Sequence, residues 1–326
     1  MIRTTLICTA LFGLALAAPR AAAVDRGVNL GNMLEAPTEG AWSGLTVRDE
    51  YFPIIDHAGF HLVRIPIRWS AHVGPAPEFT INPEFLRRVD HVLTEARKRS
   101  LDVILDYHND DDLMQDPAAH SDRFLAIWKQ IAPHYQHASE HVWFELCNEP
   151  HGNLDAERWN RLAAQAIAVI RPTNPRRTIV VGPVKWNSVD ALRWLELPES
   201  DHHLMVTVHF YEPFHFTHQG ASWAEGSAAW LGTAWTGTPE EKAMIEGYFD
   251  RAESWGRAHR RPIFLGEFGS YEKADFDSRV RWTAFVRESA EQHGFSWAYW
   301  EFASSFGAWN PETQAWRQPL LHALIP

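Results

Sequence analysis

Two glutamates in this sequence each follow a short apolar run that is typical of a buried β-strand. Glu149 follows the run VWFELCN, and Glu267 follows the run PIFLG. The carboxyl ends of parallel strands lie along one edge of a sheet, so we expect the two carboxylates to meet there. Two facing carboxylates can act as general acid/base and nucleophile in breaking a glycosidic bond. The sixteen tryptophans fit this chemistry, because a flat apolar indole face stacks well on a sugar ring.

Other polar side chains stand at the ends of further β-rich runs, where packing alone does not explain them. The whole set comprises Arg64, Arg68, Trp69, His108, Asn109, Asp110, Asn148, His209, Tyr211, His218, Trp223, Trp300 and Glu301.

The elements that would position these residues alternate along the chain. Amphipathic stretches separate eight β-rich runs, and the clearest of them are residues 83–99 and 156–171, with Asn82 and Asp155 as N-caps. Eight strand–helix units predict an α/β fold that is a single (β/α)8 TIM barrel. An open doubly wound sheet is the alternative, although no strand precedes a glycine-rich phosphate motif. The predicted strands are residues 26–31, 61–67, 101–107, 142–147, 178–182, 204–210, 262–266 and 295–300.

Five segments together carry a family resemblance, namely RIPIRW, Asn148-Glu149-Pro150, HFYEPFHFTHQG, GEFG and WAYWEF. In this order they resemble glycoside hydrolase family 5, a cellulase family, over residues 25–325. The segments around HFYEPFHFTHQGASW and NEPHGNL resemble a bacterial branch of endoglucanases that sometimes also cut mannan. The resemblance implies a retaining endo-β-1,4-glucanase whose partner is a β-1,4-linked polysaccharide or oligosaccharide. A β-1,4-mannanase, a glucomannanase or a dual-specificity enzyme is the alternative.

The same resemblance implies a role for each motif residue. Glu149 would be the general acid/base, Glu267 the nucleophile, and Asn148 would bind the 2-hydroxyl of the sugar being cleaved. Catalytic support would come from Arg64, His108, Asn148, His209 and Tyr211. Arg64 and Tyr211 would stabilise the charged carboxylate of Glu267. The negative charge of Glu267 would in turn raise the pKa of Glu149, which must hold a proton near neutral pH. Relatives often carry a second histidine where Asn109 stands, which weakens the implication of mannan activity. Substrate contacts, with Trp300 as the stacking floor, would be Asn29, Asn109, His218, Trp223, Trp300 and Glu301.

Several conspicuous residues have structural interpretations instead. Glu145 lies four residues before Glu149 on the same strand face, so we expect it to form a buried ion pair with an arginine. Arg68 and Trp69 fit loop packing as well as they fit a site. The histidines between residues 202 and 218 lack the spacing of a metal site, so no metal and no cofactor are expected. The loop tryptophans that could stack on sugar are Trp223, Trp230, Trp235 and Trp300.

The first 23 residues have the pattern of a secretory signal. Arg3 supplies a positive start, residues 6–18 are apolar, and small alanines follow at positions 21–23. The predicted domains are therefore a signal peptide at residues 1–23 and a glycoside hydrolase catalytic domain at residues 24–326. Cleavage would leave Cys147 as the only thiol, and no second apolar segment of membrane length follows. The predicted location is secreted, either extracellular or periplasmic, with no membrane association after cleavage.

Composition narrows the class of partner. The chain has 326 residues, of which 22% are charged and 45% hydrophobic, as in an ordinary globular enzyme. Its net charge of −11 argues against a nucleic-acid partner, and we expect a monomer. A sugar-binding barrel that has lost catalysis is a third hypothesis, which predicts a missing carboxylate or a missing asparagine partner. Glu149, Glu267 and Asn148 are all present, which argues against that hypothesis.

Overall fold

Eight parallel strands close into a barrel in the computed structural model, which describes residues 24–326. Each strand pairs with its successor, and β8 pairs with β1 to complete the ring. The predicted (β/α)8 barrel is therefore confirmed, and the open doubly wound alternative is wrong. The strands are β1 (Arg26–Asn29), β2 (Leu62–Ile67), β3 (Asp102–Tyr107), β4 (Val142–Glu145), β5 (Ile179–Val181), β6 (Leu204–Phe210), β7 (Ile263–Phe268) and β8 (Ser296–Tyr299).

Helices and short turns connect the strands and cover the outside of the barrel. Asn82 and Asp155 cap their helices as predicted, since their side chains accept from backbone N–H groups of the first turn. The α-helices are Tyr51–His57, Pro83–Lys98, Asp111–Gln115, Pro117–His134, Ala156–Ile170, Phe214–Thr217, Pro239–His259, Phe276–Gln292 and Gln318–Leu324. The 3-10 helices are Trp69–His72, Val189–Trp194 and Ser227–Trp230, and a two-stranded ladder joins Trp309–Asn310 to Ala315–Trp316.

The barrel interior has an apolar level and, above it, a polar level. Successive side chains of a strand point to opposite sides of the sheet, so two residues that are two positions apart both point into the barrel or both point away from it. Going two residues towards the carboxyl end, Leu62 is followed by Arg64, Ile104 by Asp106 and Trp143 by Glu145, and all three polar residues are fully buried. The polar level therefore lies directly beneath the strand ends, where barrel enzymes carry their sites. The apolar level consists of Leu62, Ile104, Trp143, Val180, Phe264 and Ala298.

The long segment between β6 and the helix Pro239–His259 contains more regular structure than its sequence suggests. The short helices Phe214–Thr217 and Ser227–Trp230 lie within it, and a capping box formed by Thr238 and Glu241 starts the next long helix. Trp235, predicted to stack on sugar, is only 1% exposed and packs beside Phe285. That prediction is wrong, because the indole of Trp235 fills the space between this segment and the helix Phe276–Gln292.

Two sequence predictions concern membranes and export. Among residues 24–326, no helix combines the length and the apolar character that crossing a bilayer requires. The predicted signal peptide at residues 1–23 lies outside the described residues.

Candidate active site

The two glutamates singled out from the sequence converge above the polar level of the barrel. Glu149 follows β4 and Glu267 lies in β7. Nδ1 of His209 is 2.7 Å from Oε1 of Glu149 and 3.6 Å from Oε2 of Glu267. One carboxylate oxygen of each glutamate and this ring nitrogen all lie within 4.8 Å of one another. Both carboxylates can therefore reach the same bond of a bound ligand.

Glu267 is held by two donors. Nη1 of Arg64 donates to its Oε1 at 2.8 Å, and the hydroxyl of Tyr211 donates to its Oε2 at 2.8 Å. The side chain is almost fully buried, so these contacts are little weakened by water. Both donors fix the position of this carboxylate, and they are the two side chains that the sequence analysis placed beside it.

Arg64 connects the site to the polar level beneath it. Its guanidinium donates to both oxygens of Glu145, at 2.7 and 2.9 Å, and lies 3.0 Å from Oδ2 of Asp106. It also donates to Oδ1 of Asn148 at 2.8 Å and to Oδ1 of Asn29 at 2.9 Å. Glu145 thus forms the buried ion pair expected of it. Because the guanidinium is fully buried and fully engaged, it cannot turn away from Glu267.

Two predicted substrate contacts turn out to be enclosed. Asn29 exposes no surface, since its amide donates to the carbonyls of Gly266 and Ala298 while its oxygen accepts from Arg64. Glu301 also exposes no surface and accepts from the amide of Asn32 at 3.1 Å. The expectation that these side chains touch substrate is therefore wrong for this geometry. Asn29 orients Arg64, and Glu301 supports the loop that follows β1.

His108 forms part of the wall at the end of β3. Its Nδ1 lies 2.5 Å from Oδ2 of Asp106, and its ring is parallel to that of Trp300 with centroids 5.9 Å apart. Burial lowers the pKa of His108 to about 3, so the ring is neutral near pH 7. Burial raises the pKa of Asp106 to about 7, against the opposing effect of the Arg64 charge. Trp300 is partly exposed, which fits the predicted floor of the cleft.

The wall next to Tyr211 is aromatic. His218 is buried, stacks on Phe214 with ring centroids 4.1 Å apart, and meets Tyr211 edge-on at 5.0 Å. Burial lowers the pKa of His218 to about 4, so this ring is also neutral. Trp223 is 59% exposed and meets Tyr271 edge-on, so most of its indole is available to a ligand. His218 and Trp223 therefore lie where the sequence analysis placed them, at the margin of the cleft.

Three further candidate residues, Asn109, Arg68 and Trp69, have different surroundings, and none of them contacts Glu149 or Glu267 in a hydrogen bond or ion pair. Asn109 is half-buried and donates to the backbone carbonyl of Glu35 at 3.2 Å, which ties the loop after β3 to the loop after β1. Trp69 is buried in the hydrophobic core, so of its two interpretations, packing and site residue, the structure supports packing. Arg68 lies 3.4 Å from a largely exposed Asp111 and has no contact with either glutamate.

The loop after β1 brings Glu35 close to Glu301, and the two form a second pair of acids near the site, of which the sequence analysis named only Glu301. Glu35 accepts from the backbone N–H groups of Asn32 and Met33, and Asn32 bridges to Glu301. Burial raises the pKa of both Glu35 and Glu301 to about 8, so both carboxyls hold protons at neutral pH. Asn32, at φ 63°, could have been suspected from the sequence, since it follows a glycine directly after a strand.

Glu149 has the protonation behaviour of an acid catalyst. Burial raises its pKa to about 7, although the Arg64 charge opposes this shift. The predicted direction of the shift is right, but the dominant cause is burial and not the charge of Glu267. Part of the side chain, 23%, remains exposed to the cleft. Glu149 can therefore hold a proton near neutral pH and still reach a ligand.

The raised pKa of Glu149 leads to a prediction about pH. We expect kcat/KM of a reaction in which Glu149 donates a proton to fall as the pH rises through about 7, because that proton is then lost. A pH–rate profile measures this, with Glu149→Gln as the control. The variant should retain only a small residual rate without this alkaline limb. An unchanged alkaline limb in the variant would show that another group is responsible.

The described residues offer three groups of donors whose spacing could suit a cation. One consists of Glu149, His209 and Glu267, and Arg64 already places a permanent positive charge 2.8 Å from Glu267. A second cation beside this guanidinium would be repelled, so the group is better suited to acid/base chemistry than to metal binding. The other two groups lie at the surface, away from the cleft, and consist of Asp49, His91 and Glu95 and of Asp250, Glu253 and His293.

Comparisons with known proteins identify sequences that are similar to most of this chain. A family model described as cellulase (glycosyl hydrolase family 5) matches residues 24–305. Endoglucanase H of Acetivibrio thermocellus is 36% identical over 305 residues, which cover 92% of this chain but only 32% of that protein. Cellulase/esterase CelE of the same organism is 27% identical and is covered to 39%. The chain thus spans about a third of the length of these relatives.

Solved structures resemble the chain over nearly its whole described length. Cel5A of Thermotoga maritima, in complex with a mannotriose substrate, has a TM-score of 0.91 and 47% identity, covering 93% of this chain and 97% of that one. The cellulose synthase subunit Z of Clostridioides difficile has a TM-score of 0.90 and 39% identity, covering 93% of this chain and 100% of that one. Both share the barrel described above.

Proposed function

This chain belongs to the cellulase family, glycosyl hydrolase family 5, and from this membership we propose that it is a secreted endo-β-1,4-glucanase acting with retention of configuration. The observation that carries the proposal is the approach of Glu149 and Glu267 to within 4.8 Å. Retaining glycosidases hold their carboxyls about 5 Å apart, whereas inverting enzymes leave a wider gap for water.

In the first step, Glu267 attacks the anomeric carbon while Glu149 gives its proton to the leaving oxygen. Arg64 and Tyr211 hold the carboxylate of Glu267 in place until it forms the covalent bond. The sugar-bound Glu267 is no longer negatively charged. Cleavage thereby produces a glycosyl–enzyme intermediate and a shortened chain with a free hydroxyl.

In the second step, Glu149 is ionised and acts as a base. It takes a proton from a water molecule that attacks the anomeric carbon, and Glu267 is released as a carboxylate. A carboxyl with a pKa of about 7 can serve in both directions, since it is easily protonated and easily ionised at neutral pH. Two displacements return the sugar to its original anomeric configuration.

The proposal is tested by measuring products. The protein, without its first 23 residues, is incubated with carboxymethylcellulose, barley β-glucan, glucomannan and galactomannan, and released reducing sugar is measured. Proton NMR of the first products follows their anomers, and Glu149→Gln is the control. Release from β-glucan with β-anomers formed first supports the proposal. Release of α-anomers first would contradict retention, and no release from any polymer would contradict the function.

A β-1,4-mannanase or dual-specificity enzyme is the second candidate. It is favoured by the likeness to Cel5A of Thermotoga maritima, whose structure was determined with mannotriose. The axial 2-hydroxyl of mannose would be sensed near the loops after β1 and β3, which Asn109 joins. The same substrate panel separates the candidates, since a glucanase leaves galactomannan intact.

Secretion and a monomeric state are further parts of the proposal. The charge and hydropathy pattern of residues 1–23 supports export. The mass of the protein recovered from culture medium, and its elution in size-exclusion chromatography with light scattering, test both. Retention in the cell with the leader uncleaved would contradict export.

A further inference from the structure

A left-handed turn follows β5, on the side of the barrel where Glu149 lies. Lys185, Trp186 and Asn187 have φ angles of 59°, 56° and 55°, although none of them is glycine. The left-handed conformation is unfavourable for residues that carry a Cβ atom, and strained backbone clusters at functional sites. Three in succession therefore call for a compensating role, and the proposed mechanism above does not use any of them.

Asn187 lies at the inner end of this turn and points at the histidine that contacts Glu149. Its side chain is fully buried, and its Nδ2 is 3.2 Å from Nε2 of His209. Its Oδ1 has no hydrogen-bond partner among the described residues and lies against Gly182, where a Cβ atom would be 2.0 Å away. Only glycine at position 182 leaves room for this amide.

The surroundings also indicate which way the amide points. An oxygen facing the Cα–H group of Gly182 makes a weakly favourable contact, whereas an NH2 group there would meet hydrogen with hydrogen. The NH2 group therefore faces His209 and donates to Nε2. Because burial lowers the pKa of His209 to about 4, the ring is neutral and carries one proton. With Nε2 accepting, that proton is on Nδ1.

The position of this proton determines how Glu149 is used. The N–H group at Nδ1 of His209 donates to Oε1 of Glu149 at 2.7 Å. When Glu149 is protonated, Oε1 is already accepting, so the acidic hydrogen resides on Oε2. In the opposite tautomer, Nδ1 would present a lone pair, and Glu149 would donate its proton to the histidine instead of to the leaving oxygen.

We propose that Asn187 is a positioning residue that fixes the tautomer of His209 and thereby keeps the transferable proton of Glu149 on the oxygen facing the scissile bond. The proposal rests on the acid role given to Glu149 above. The turn is also tied to the loop that carries Glu149. The backbone N–H of Trp186 donates to the carbonyl of Pro150 at 3.3 Å, and its indole stacks on His151 with centroids 4.9 Å apart.

The chain offers a matched pair of variants for the test. Asn187→Gly removes the amide and keeps the left-handed backbone free of strain, since glycine adopts positive φ easily. Lys185→Gly makes the same backbone change two residues earlier, where the side chain is exposed and lies over Trp194. Any effect of added flexibility should appear in both variants, whereas the loss of the amide appears only in the first.

Aryl cellobiosides with different leaving groups separate acid assistance from other losses. A dinitrophenolate leaves without a proton, whereas a poor leaving group such as unsubstituted phenol or a sugar depends on one. We expect Asn187→Gly to lower kcat by about 10- to 100-fold for poor leaving groups and by less than about threefold for dinitrophenyl cellobioside. Lys185→Gly should change neither rate. Equal losses of Asn187→Gly on both substrates would overturn the proposal.

The tautomer itself can be read without any activity. Nitrogen-15 NMR of histidine-labelled protein, with the His209 signal assigned from His209→Gln, should show protonated Nδ1 in the wild type and a mixture of tautomers in Asn187→Gly. Protonated Nε2 in the wild type overturns the proposal. If the wild type fails to cleave every substrate while the NMR result holds, the proposed function fails and the tautomer assignment stands.

Discussion

Glu267→Ala is expected to lower kcat on soluble β-glucan by about 10⁴-fold or more, because the attacking atom is removed from the reaction. The fold should survive the change. Arg64 loses one partner but keeps Glu145 and Asp106, with which it also forms ion pairs. Circular dichroism and thermal unfolding should therefore remain close to the wild type, and reducing-sugar assays measure the loss of rate.

Azide provides a sharper control for the same variant. The space left by the carboxylate should admit this small anion, which can attack the anomeric carbon of an activated substrate in a single displacement. The product is then a glycosyl azide of inverted, α configuration, identified by NMR. Wild-type turnover by Glu267→Ala, or a β-configured azide product, would exclude Glu267 as the nucleophile.

Arg64→Met is expected to lower the free energy of unfolding by about 3–5 kcal/mol, which is the range for removing one partner of a buried ion pair. Three carboxylates contact this guanidinium, from Asp106, Glu145 and Glu267. After the change they have no cation among their described neighbours, so they must take up protons or repel one another. Denaturant unfolding followed by tryptophan fluorescence measures the effect.

Arg64→Lys is the matched control. A lysine keeps the positive charge but cannot donate in a fork to both oxygens of Glu145, as Arg64 does at 2.7 and 2.9 Å. We expect a stability between those of the wild type and Arg64→Met. If Arg64→Met and the wild type unfold at the same denaturant concentration, the polar level does not depend on this arginine.

The strands and the two glutamates could be predicted from the sequence because their signals are local. Apolar β-rich runs give the strand positions to within a few residues, and strand ends meet at one edge whatever the details of packing. Glu145 is another example of a local signal. It lies an even number of residues before Glu149 and therefore on the same face of the strand, and this alone predicted a buried ion pair. The same alternation explains why the prediction that Asn29 contacts substrate was wrong. Asn29 lies two residues after Gly27, which faces the barrel interior, so its side chain also points inward and contacts Arg64.

Other parts of the site could not be predicted because they depend on the closed barrel. Asn187 contacts His209 only because three residues adopt left-handed backbone and Gly182 leaves space. Asp106 of β3 contacts Arg64 on the neighbouring strand β2 as well as His108 at the end of its own strand. The cause of the raised pKa of Glu149 was assigned to a charge, whereas burial dominates, and the degree of burial is a property of the assembled cleft. No pattern of residue types along the chain encodes these distances.

The apolar level and the polar level of the barrel interior lie one above the other. Positions that affect stability are therefore separated from positions that affect the chemistry of the site. Leu62, Ile104 and Trp143 belong to the apolar level, and the buried polar residues Arg64, Asp106 and Glu145 lie one step above them on the same strands. Apolar substitutions at this level change packing volume and introduce no charge, so we expect repacking there to alter stability more than the protonation of the groups above it. Substitutions one step higher on the same strands alter protons and charges. Directed evolution for heat tolerance and for new substrates can thus draw on different positions of the same three strands.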